Sequence, residues 1–432
     1  MTRHFCATHF YKLSPEERLE RIANYANLNE EEIQSLKSSG GLSLDQADRM
    51  IENVIGTLEI PIGLGVHFLI NDREYNVPMA IEEPSVVAAA SKMAKIARKK
   101  GGFIACTTEP IMIGQIQIAS CQDPYGAKMR ILSQKDRILQ MANEEDPILV
   151  KFGGGAVDLE VKVLDTASGP MVVCHLLVNC KDAMGANAVN TMAESLKGEL
   201  EKISQGKVCL RIISNLAIHR MARAYAVFDK EELGGAEIVD RIVAAYHFAD
   251  ADPFRGTTHN KGIMNGISAV ALACGQDTRA IEAGAHSYAA IKGSYRSLTT
   301  WEKNSDGDLV GTLELPMAVG IVGGATKTHP VVKANLQILG IQSANELGEV
   351  MVCVGLAQNL GALRALADEG IQKGHMSLHA RNLAIMAGCP SNLVDIVVER
   401  LKKVGSIRLD KAQAIVKELL SAENALEDKV IF

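Results

Sequence analysis

The sequence is poor in aromatic residues and has no excess of positive charge. Aromatic residues make up 4% of the chain, with one tryptophan at Trp301, whereas single-stranded nucleic acids bind to surfaces that carry several aromatic side chains. The formal net charge is −6, so no overall positive field attracts nucleic acid or an anionic membrane. We therefore expect no nucleic-acid partner and no membrane partner.

The sequence also has no recognisable targeting segment and no long apolar run. Residues 1–18 contain no apolar core of the signal-peptide kind, and the longest apolar stretches, near 266–274 and 315–325, reach about half of the roughly 20 residues that a spanning helix needs. The nine cysteines are scattered, with neither a CxxC pair nor a Cys/His cluster at zinc spacing. These absences predict a cytoplasmic protein with reduced thiols and no metal centre.

The rest of the composition is that of a globular protein with more than one core. Hydrophobic residues make up 47% and charged residues 22% of 432 residues, a length that usually divides into two or three units. The strings SPEE at 14–17 and SLDQ at 43–46 are typical of capped helix starts and predict a helical N-terminal segment. Alternating apolar residues between 56 and 79 then predict two strands, followed by a helix that begins at Pro84.

The middle of the chain differs in character from its flanks. Residues 103–215 are rich in strand-like runs, with two helical stretches near 133–143 and 187–204, and predict a small α+β domain. After residue 216 long alanine-rich helices predominate. From Gly374 onward, short charged helices predict a C-terminal appendage.

Two glycine-containing strings could approach a phosphate, although neither GxGxxG nor GxxxxGK[ST] occurs. The three glycines at 153–155 could bring backbone amides close to an anion, but such a run is more often a plain turn. The string DAMGAN at 182–187 lies where a strand ends and a helix begins, so the helix start could bind an anion. A capped helix start explains the same spacing.

Charged residues cluster around the string THNKGIMNG at 258–266. Arg255 and Lys261 lie in an apolar, glycine-rich setting where an unpaired cation is costly, and Asp277 follows. A structural salt bridge and a catalytic lysine fit this pattern equally well. His375 and His379 are four residues apart, as two metal ligands on one helix face would be, but no HExxH surrounds them. A single titrating histidine at His375 is the better interpretation.

Seven strings in order resemble one known family. They are ENVIG at 52–56, VPMAIEEPS at 77–85, DAMGAN at 182–187, THNKGIMNG at 258–266, VGGATKTHP at 322–330, GLAQNLGA at 355–362 and GHMSLHARN at 374–382. The chain resembles 3-hydroxy-3-methylglutaryl-CoA (HMG-CoA) reductases of the bacterial class II form, from about residue 10 to past 420. Each string alone is weak evidence, but the ordered set is specific.

This resemblance implies an α+β fold. It places a mostly helical large domain, which binds the acyl-CoA, at 1–108 and 217–373, and an inserted ferredoxin-like antiparallel α/β small domain, which binds the dinucleotide, at 109–216. A C-terminal helical flap follows at 374–432. It also implies a homodimer in which one subunit supplies the dinucleotide domain and the other the acyl-CoA pocket of each shared active site, and a higher oligomer of dimers is compatible with it.

The resemblance further implies that HMG-CoA and mevalonate plus CoA are interconverted by two hydride transfers, through mevaldehyde. The implied catalytic residues are Glu83, Lys261, Asp277 and His375. The implied substrate-binding residues are Ser85, Asn215, Arg255 and Asn359. The implied dinucleotide-binding residues are Asp146, Asp182, Met184, Gly185 and Asn187.

Each implied catalytic residue has a physical task in such a reaction. Negative charge develops twice on a carbonyl oxygen, and the ammonium of Lys261 would stabilise it. Asp277, expected close to Lys261 and Glu83, would keep that lysine charged. Glu83 would donate a proton to the aldehyde oxygen, and His375 would protonate the departing CoA thiolate.

Asp146 favours NAD(H) over NADP(H) as the cofactor, because a carboxylate binds a free 2′-hydroxyl and repels a 2′-phosphate. An NADPH-preferring biosynthetic enzyme remains the alternative. Tyr11-Lys12 occupies the place of a family arginine that binds the nucleotide end of CoA, which leaves the CoA contacts there open. A non-redox acyl-CoA transferase with a cysteine nucleophile is a weaker hypothesis, and a catalytically dead CoA-binding regulator would require one of the four catalytic residues to be replaced.

Overall fold

The computed structural model describes Phe5 and residues 10–37, 41–368, 380–390, 392–405 and 407–427. The strands are β1 (Ile62–Ile70), β2 (Arg73–Ala80), β3 (Phe103–Thr107), β4 (Ile111–Ala119), β5 (Gly155–Leu164), β6 (Met171–Asn179), β7 (Lys207–Ser214), β8 (Met221–Phe228), β9 (Thr299–Lys303) and β10 (Leu309–Pro316). The helices of the first 368 residues are α1 (Pro15–Ala26), α2 (Glu30–Lys37), α3 (Leu44–Asp48), α4 (Val86–Arg98), α5 (Pro124–Ser133), α6 (Lys135–Glu144), α7 (Pro147–Lys151), α8 (Ala186–Ser195), α9 (Lys197–Ser204), α10 (Lys230–Leu233), α11 (Ala236–Ala251), α12 (Pro253–Ala273), α13 (Thr278–Ala289), α14 (Ala325–Thr328), α15 (Pro330–Leu339) and α16 (Ala344–Ala367). Helices Val394–Val404 and Leu409–Glu427 follow.

The predicted N-terminal helix starts are confirmed. The backbone N–H of Glu17 donates to Ser14 Oγ at 3.1 Å, and the Glu17 carboxylate accepts from the Ser14 N–H at 2.7 Å, which is a complete capping box at α1. Ser43 and Gln46 form the second capping box, at α3. The local sequence therefore determines where both helices begin.

Six strands form the larger sheet in the order β2-β1-β3-β8-β10-β9. Only the β1–β2 pair was expected from the sequence, because β8 is rich in alanine and resembles a helix. In the structure Ala222, Ala224 and Ala226 point inward and are buried, and α16 packs on this face. Small side chains on β8 let that helix approach the sheet, so tertiary packing overrides the local preference.

Four aromatic side chains from four strands form a continuous row in the core of this sheet. The ring centroids of Phe68 and Phe103 lie 5.8 Å apart, those of Phe103 and Phe228 6.2 Å, and those of Phe228 and Trp301 5.8 Å. Trp301 reaches Phe228 across β10 because Gly311 lies directly opposite, where a Cβ atom would be 2.3 Å from the tryptophan ring. A row of this kind fixes the register of the neighbouring strands.

α16 is the central helix of the large core. Its most apolar 18-residue window has a mean hydropathy of 1.5, so α16 could span a membrane by length and composition, but 72% of that window is buried inside the protein. Glu346, Glu349 and Arg364 interrupt this run in the sequence. A core helix of a globular protein passes the same test.

The smaller sheet is fully antiparallel, with the order β5-β6-β4-β7. Along the chain its elements follow the sequence β4, helices, β5, β6, helices, β7, which is the ferredoxin-like arrangement expected for this part of the chain. Helices α5, α6, α8 and α9 pack against the sheet. The sheet lies between Ile111 and Ser214, inside the segment proposed as the small domain.

The chain passes between the two sheets at two adjacent places, from β3 to β4 and from β7 to β8. β3 and β8 pair in antiparallel register with Thr107 opposite Ala222, so the smaller sheet is inserted between paired strands of the larger one. Thr108 Oγ1 donates to the His219 carbonyl at 2.8 Å and accepts from the Met221 N–H at 2.9 Å. Thr108 therefore hydrogen-bonds the segment that leaves the larger sheet after β3 to the segment that returns to it before β8.

The last two helices have an apolar cluster of their own. It includes Val397, Leu401 and Ala412, which are fully buried, and it is separate from the clusters beneath the two sheets. The sequence predicted helices in this part of the chain, and the described residues confirm them.

Candidate active site

The turn before α4 has an unusual backbone. Ser85 has φ +77° and ψ −19°, in the left-handed region that serine rarely adopts, and its side chain makes no capping hydrogen bond to α4. Such a conformation costs about 1–3 kcal/mol and is found where the surrounding structure maintains it, often at functional sites. The turn places Glu83 and Ser85 side by side at the start of α4.

Glu83 meets Lys261 across the molecule. Lys261 Nζ lies 2.8 Å from Glu83 Oε2, and the amide of Asn265 donates to the same oxygen at 3.2 Å. Lys261 and Asn265 are four residues apart on α12 and therefore share a face. The side chains of Glu83 and Lys261 keep 36% and 59% of their surface exposed, so this cluster is open to solvent.

The sequence analysis did not select Asn265. The available signal was its position four residues after Lys261 in the string at 258–266, which places both side chains over the same groove. The amide of Asn265 can donate a hydrogen bond to the Glu83 carboxylate and, being neutral, does not replace Lys261 as its cationic partner.

Buried side chains on the opposite face of α12 hold the helix in place. The side chain of Asn260 donates to the Arg296 carbonyl at 2.8 Å and accepts from the Leu298 N–H at 3.0 Å. His259 Nε2 lies 2.7 Å from Thr299 Oγ1, and burial lowers the pKa of His259 to about 3, so this histidine is neutral at physiological pH. These contacts fix the rotation of α12 and with it the direction of Lys261.

Asn359 belongs to this buried network rather than to the open groove. It is 1% exposed, and its amide oxygen accepts from Trp301 Nε1 at 2.9 Å and from Thr299 Oγ1 at 3.1 Å. Its amide nitrogen donates to the His259 carbonyl at 3.4 Å. In this chain Asn359 is thus placed to support α12, and direct contact with a ligand would require the network to open.

Arg255 lies half-buried at the start of α12. Its backbone N–H donates to Asp252 Oδ2 at 2.8 Å, while the described residues offer its guanidinium no carboxylate within 4.0 Å. Burial lowers the pKa of Arg255 below its ordinary value. An unpaired, half-buried arginine is available to an anionic group. Asn215 lies exposed after β7.

Asp277 does not meet Lys261 within the chain. It caps α13 by accepting the N–H groups of Arg279 and Ala280, each at 3.1 Å, and it pairs with the Arg279 guanidinium at 3.1 Å. Lys261 lies more than three turns before the end of α12 at Ala273, a separation of roughly 18 Å along the helix. The expected contact of Asp277 with Lys261 and Glu83 is therefore not formed inside one chain.

Instead, the residue before Asp277 is bonded to Gly320, which packs against the loop at 182–187. That residue, Gln276, bonds Gly320 twice, from Nε2 to the Gly320 carbonyl at 2.9 Å and from the Gly320 N–H to Oε1 at 2.8 Å. Gly320 in turn touches the loop so closely that a Cβ atom would lie 2.4 Å from the Met184 nitrogen. Asp277 is thus linked to the loop through Gln276 and Gly320.

A buried arginine strengthens this attachment. The guanidinium of Arg220 donates to the carbonyls of Ala183 at 2.9 Å, Met184 at 3.1 Å and Val319, and burial lowers the pKa of Arg220 to about 10. Arg220 is 4% exposed. This role of Arg220 could not be predicted from the sequence, because an isolated arginine before a strand is usually a surface residue.

The loop at 182–187 ends at the start of α8. Asp182 Oδ1 accepts the N–H of Ala344 at 2.8 Å, so this carboxylate fastens the loop to α16. Gly185 has φ +105°, and a Cβ atom there would lie 2.3 Å from Cys180 Sγ. α8 has no capping side chain, so the N–H groups of its first turn are available to an anion beside the partly exposed Met184 and the exposed Asn187.

Asp146 lies at the same end of the smaller sheet. Its Oδ1 accepts the Leu149 N–H at 2.9 Å and caps α7. Burial raises the pKa of Cys180 to about 11, and the positive charge of Arg220 opposes this rise. The negative charge of Asp146 adds to the rise, so Asp146 lies near Cys180 and the start of the 182–187 loop. The glycines at 153–155 pass beside the end of β6, where Gly155 pairs with Asn179.

Two expectations about titrating and metal-binding groups remain. His375 and the flap turn around it lie outside the described residues. Across the part of the chain that the structure describes, no three His, Cys, Asp or Glu side chains form a group that could hold a metal ion.

Comparison with known proteins agrees with this arrangement. The family model for hydroxymethylglutaryl-coenzyme A reductase matches residues 14–380. The 3-hydroxy-3-methylglutaryl-coenzyme A reductase of Archaeoglobus fulgidus is 59% identical over 412 residues, which cover 95% of this chain and 94% of that protein. The probable reductase of Borreliella burgdorferi is 34% identical over 389 residues, or 87% of this chain and 88% of that protein.

Solved structures of the enzyme from Streptococcus pneumoniae are also similar. One superposes with a TM-score of 0.82 at 41% identity and covers 96% of this chain and 100% of its own. Another, described as class II and bound to NADPH in open conformations, has a TM-score of 0.80 at 42% identity and covers 94% of this chain and 100% of its own. The chain is therefore an oxidoreductase that belongs to the hydroxymethylglutaryl-coenzyme A reductase family.

Proposed function

We propose that this protein interconverts HMG-CoA and mevalonate plus CoA, with two equivalents of a nicotinamide dinucleotide and with mevaldehyde as the intermediate. The observation that carries the proposal is the contact of Lys261 with Glu83 and Asn265. A cation in contact with a proton donor at an open site provides two of the groups that reduction of a thioester requires. The bound dinucleotide supplies the hydride.

Each side chain at this site has a separate role in the rest of the reaction. The Lys261 ammonium stabilises the negative charge that develops on the thioester oxygen and later on the aldehyde oxygen. Glu83, 2.8 Å from Lys261, supplies the proton that the aldehyde oxygen takes up. Asn265 holds the Glu83 carboxyl in place, and Arg255 binds the terminal carboxylate of the substrate, with Ser85 and Asn215 at the edges of the pocket.

The CoA portion of the substrate fits the large groove beside α4. This groove has a volume of about 1950 Å³ and reaches the first turn of α4 next to Ser85. Arg18, Lys92 and Lys95 line it and can bind CoA phosphates, and Tyr11 lies at its rim. Arg18 therefore offers a cation close to the place where this chain has Tyr11-Lys12 instead of an arginine.

The dinucleotide binds at the 182–187 loop. The uncapped start of α8 accepts the pyrophosphate, and Met184, Gly185 and Asn187 line the site, while Asp182 fixes the loop. Asp146 bonds the adenosine ribose. Its Oδ2 makes no hydrogen bond to the residues that the structure describes and can accept from a 2′-hydroxyl, which supports NAD(H) over NADP(H), although a structurally similar enzyme has been solved with NADPH.

The protein acts as a homodimer with shared active sites. Because Asp277 is fixed to the dinucleotide loop and lies far from Lys261, it reaches the acyl site of the partner subunit rather than its own. Several large apolar side chains between residues 50 and 62 are also exposed and available to a partner. They are Met50, Ile51, Ile55, Leu58, Ile60 and Ile62.

Other parts of the sequence analysis remain proposals. They are the domain boundaries at residues 108, 216 and 373, the role of His375 as the acid for the CoA thiolate, and a cytoplasmic location. Two of the cysteines do not fit the acyl-transferase alternative, because burial raises the pKa of Cys174 to about 12 and that of Cys274 to about 12, which makes these thiols poor nucleophiles at neutral pH.

The purified protein should consume reduced nicotinamide when HMG-CoA is added and form it when mevalonate and CoA are added. Absorbance of the reduced nicotinamide measures both directions. Lys261→Ala should lower kcat by a factor of about 10³ or more, because the oxyanion loses its cation, while the thermal unfolding midpoint changes little. Absence of turnover with either nucleotide in either direction would refute the reductase assignment.

Asp146→Ser should shift the nucleotide preference towards NADP(H). Serine can still cap α7, so the comparison isolates the charge of the carboxylate. We expect the kcat/KM ratio of NADPH to NADH to rise by about tenfold or more. Asp123→Ser, which removes the corresponding capping carboxylate at α5, is the matched control and should leave the ratio unchanged. An unaltered ratio in Asp146→Ser would assign cofactor discrimination to another residue.

Mixed dimers test where Asp277 acts. Lys261→Ala and Asp277→Ala should each be nearly inactive alone. After the two variants are refolded or co-expressed together, random pairing should restore about a quarter of wild-type activity, because half the dimers are mixed and each mixed dimer has one intact composite site. If Asp277 served Lys261 of its own chain, mixing would restore nothing.

A further inference from the structure

A second group of polar side chains lies between α12 and α13, two turns along α12 from Lys261. Glu282 of α13 accepts a hydrogen bond from Ser268 Oγ at 2.5 Å, and its other oxygen lies 3.1 Å from His286 Nε2. His286 Nδ1 lies 2.7 Å from the hydroxyl of Tyr295. All four side chains are half-buried, and none of them has a part in the reaction proposed above.

This group continues the active face of α12. Lys261, Asn265 and Ser268 are four and then three residues apart, so they lie in a line along one face of the helix. Glu83 bonds the first two, and Glu282 bonds the third. The face is therefore held between two carboxylates, one from the turn before α4 and one from α13.

Glu282 carries its charge despite its burial. Burial disfavours the ionised carboxylate, but the hydrogen bonds from His286 and Ser268 outweigh it, and the positive charges of His286 and Lys261 act in the same direction. The pKa of Glu282 is consequently lower than its ordinary value. At neutral pH the ionised carboxylate contributes to the electric field at Lys261.

We propose that Glu282 is a positioning residue for Lys261: clamped by Ser268 and His286, it provides from the same chain a second negative charge that keeps the ammonium in place on the active face of α12. This inference rests on the proposed function. It differs from the role of Asp277, which comes from the partner subunit, because Glu282 acts on Lys261 in every subunit regardless of pairing.

Glu282→Gln is the decisive variant, since glutamine keeps the size and still accepts from Ser268 but lacks the charge. We expect kcat to fall about tenfold with HMG-CoA and with mevaldehyde, with a change below about twofold in the KM for HMG-CoA. Glu282→Asp, which restores the charge, should recover part of the lost kcat. The control is Glu199→Gln on α9, which removes another carboxylate held by two cations and should leave kcat unchanged.

Chemical labelling of Lys261 provides a readout that does not require turnover. At pH 8 an N-hydroxysuccinimide ester of acetate should acetylate Lys261 about threefold faster in Glu282→Gln than in the wild type, because loss of a nearby negative charge favours the neutral amine. Glu83→Gln serves as the reference for a direct partner. Mass spectrometry of the Lys261 peptide measures the rate.

The two readouts together decide the proposal. Unchanged kcat in Glu282→Gln would overturn it, and so would a lower kcat with unchanged labelling of Lys261, since Glu282 would then act through the fold alone. If the wild type lacked reductase activity, the proposed function would fail, while the labelling rates would still decide whether Glu282 controls Lys261.

Discussion

The contact between Lys261 and Glu83 depends on the placement of one helix. These two residues are 178 positions apart in the sequence, and their side chains meet only because α12 lies against β2 and α16 with a fixed rotation. The buried bonds of His259, Asn260 and Asn359 set that rotation. A charged group that stabilises a developing oxyanion is effective only when it is already in position, so much of the large core serves to hold α12.

The same constraint explains why the site divides into two halves. α12 and the turn before α4 pack with the larger sheet and carry the half that we propose binds the acyl group. The loop at 182–187, fastened by Arg220 and Gln276, carries Asp277 with it and forms the other half. In the dimer that we propose, productive geometry would be reached by bringing these two internally bonded surfaces together rather than by ordering loops one at a time.

The sequence predicted the features that depend on neighbouring residues. Capping boxes, the β1–β2 pair and the antiparallel arrangement of the smaller sheet all follow from local pattern and from the ordered motifs. It did not predict β8, whose alanines are explained only by the helix that packs on them. Nor could motif matching show that Asn359 lies in the core, because its burial depends on packing between distant segments.

The narrow junction at Thr108 bears on how the chain acquires its shape. Because Thr107 and Ala222 are direct partners, the 114 residues between them leave the larger sheet and return to it at almost the same point. Closing so long a loop is entropically costly unless the intervening chain is already compact. The smaller sheet therefore has reason to fold first, after which β3 and β8 can pair as the two arms of an ordinary hairpin. A short turn in place of the insertion would leave that pairing geometrically possible.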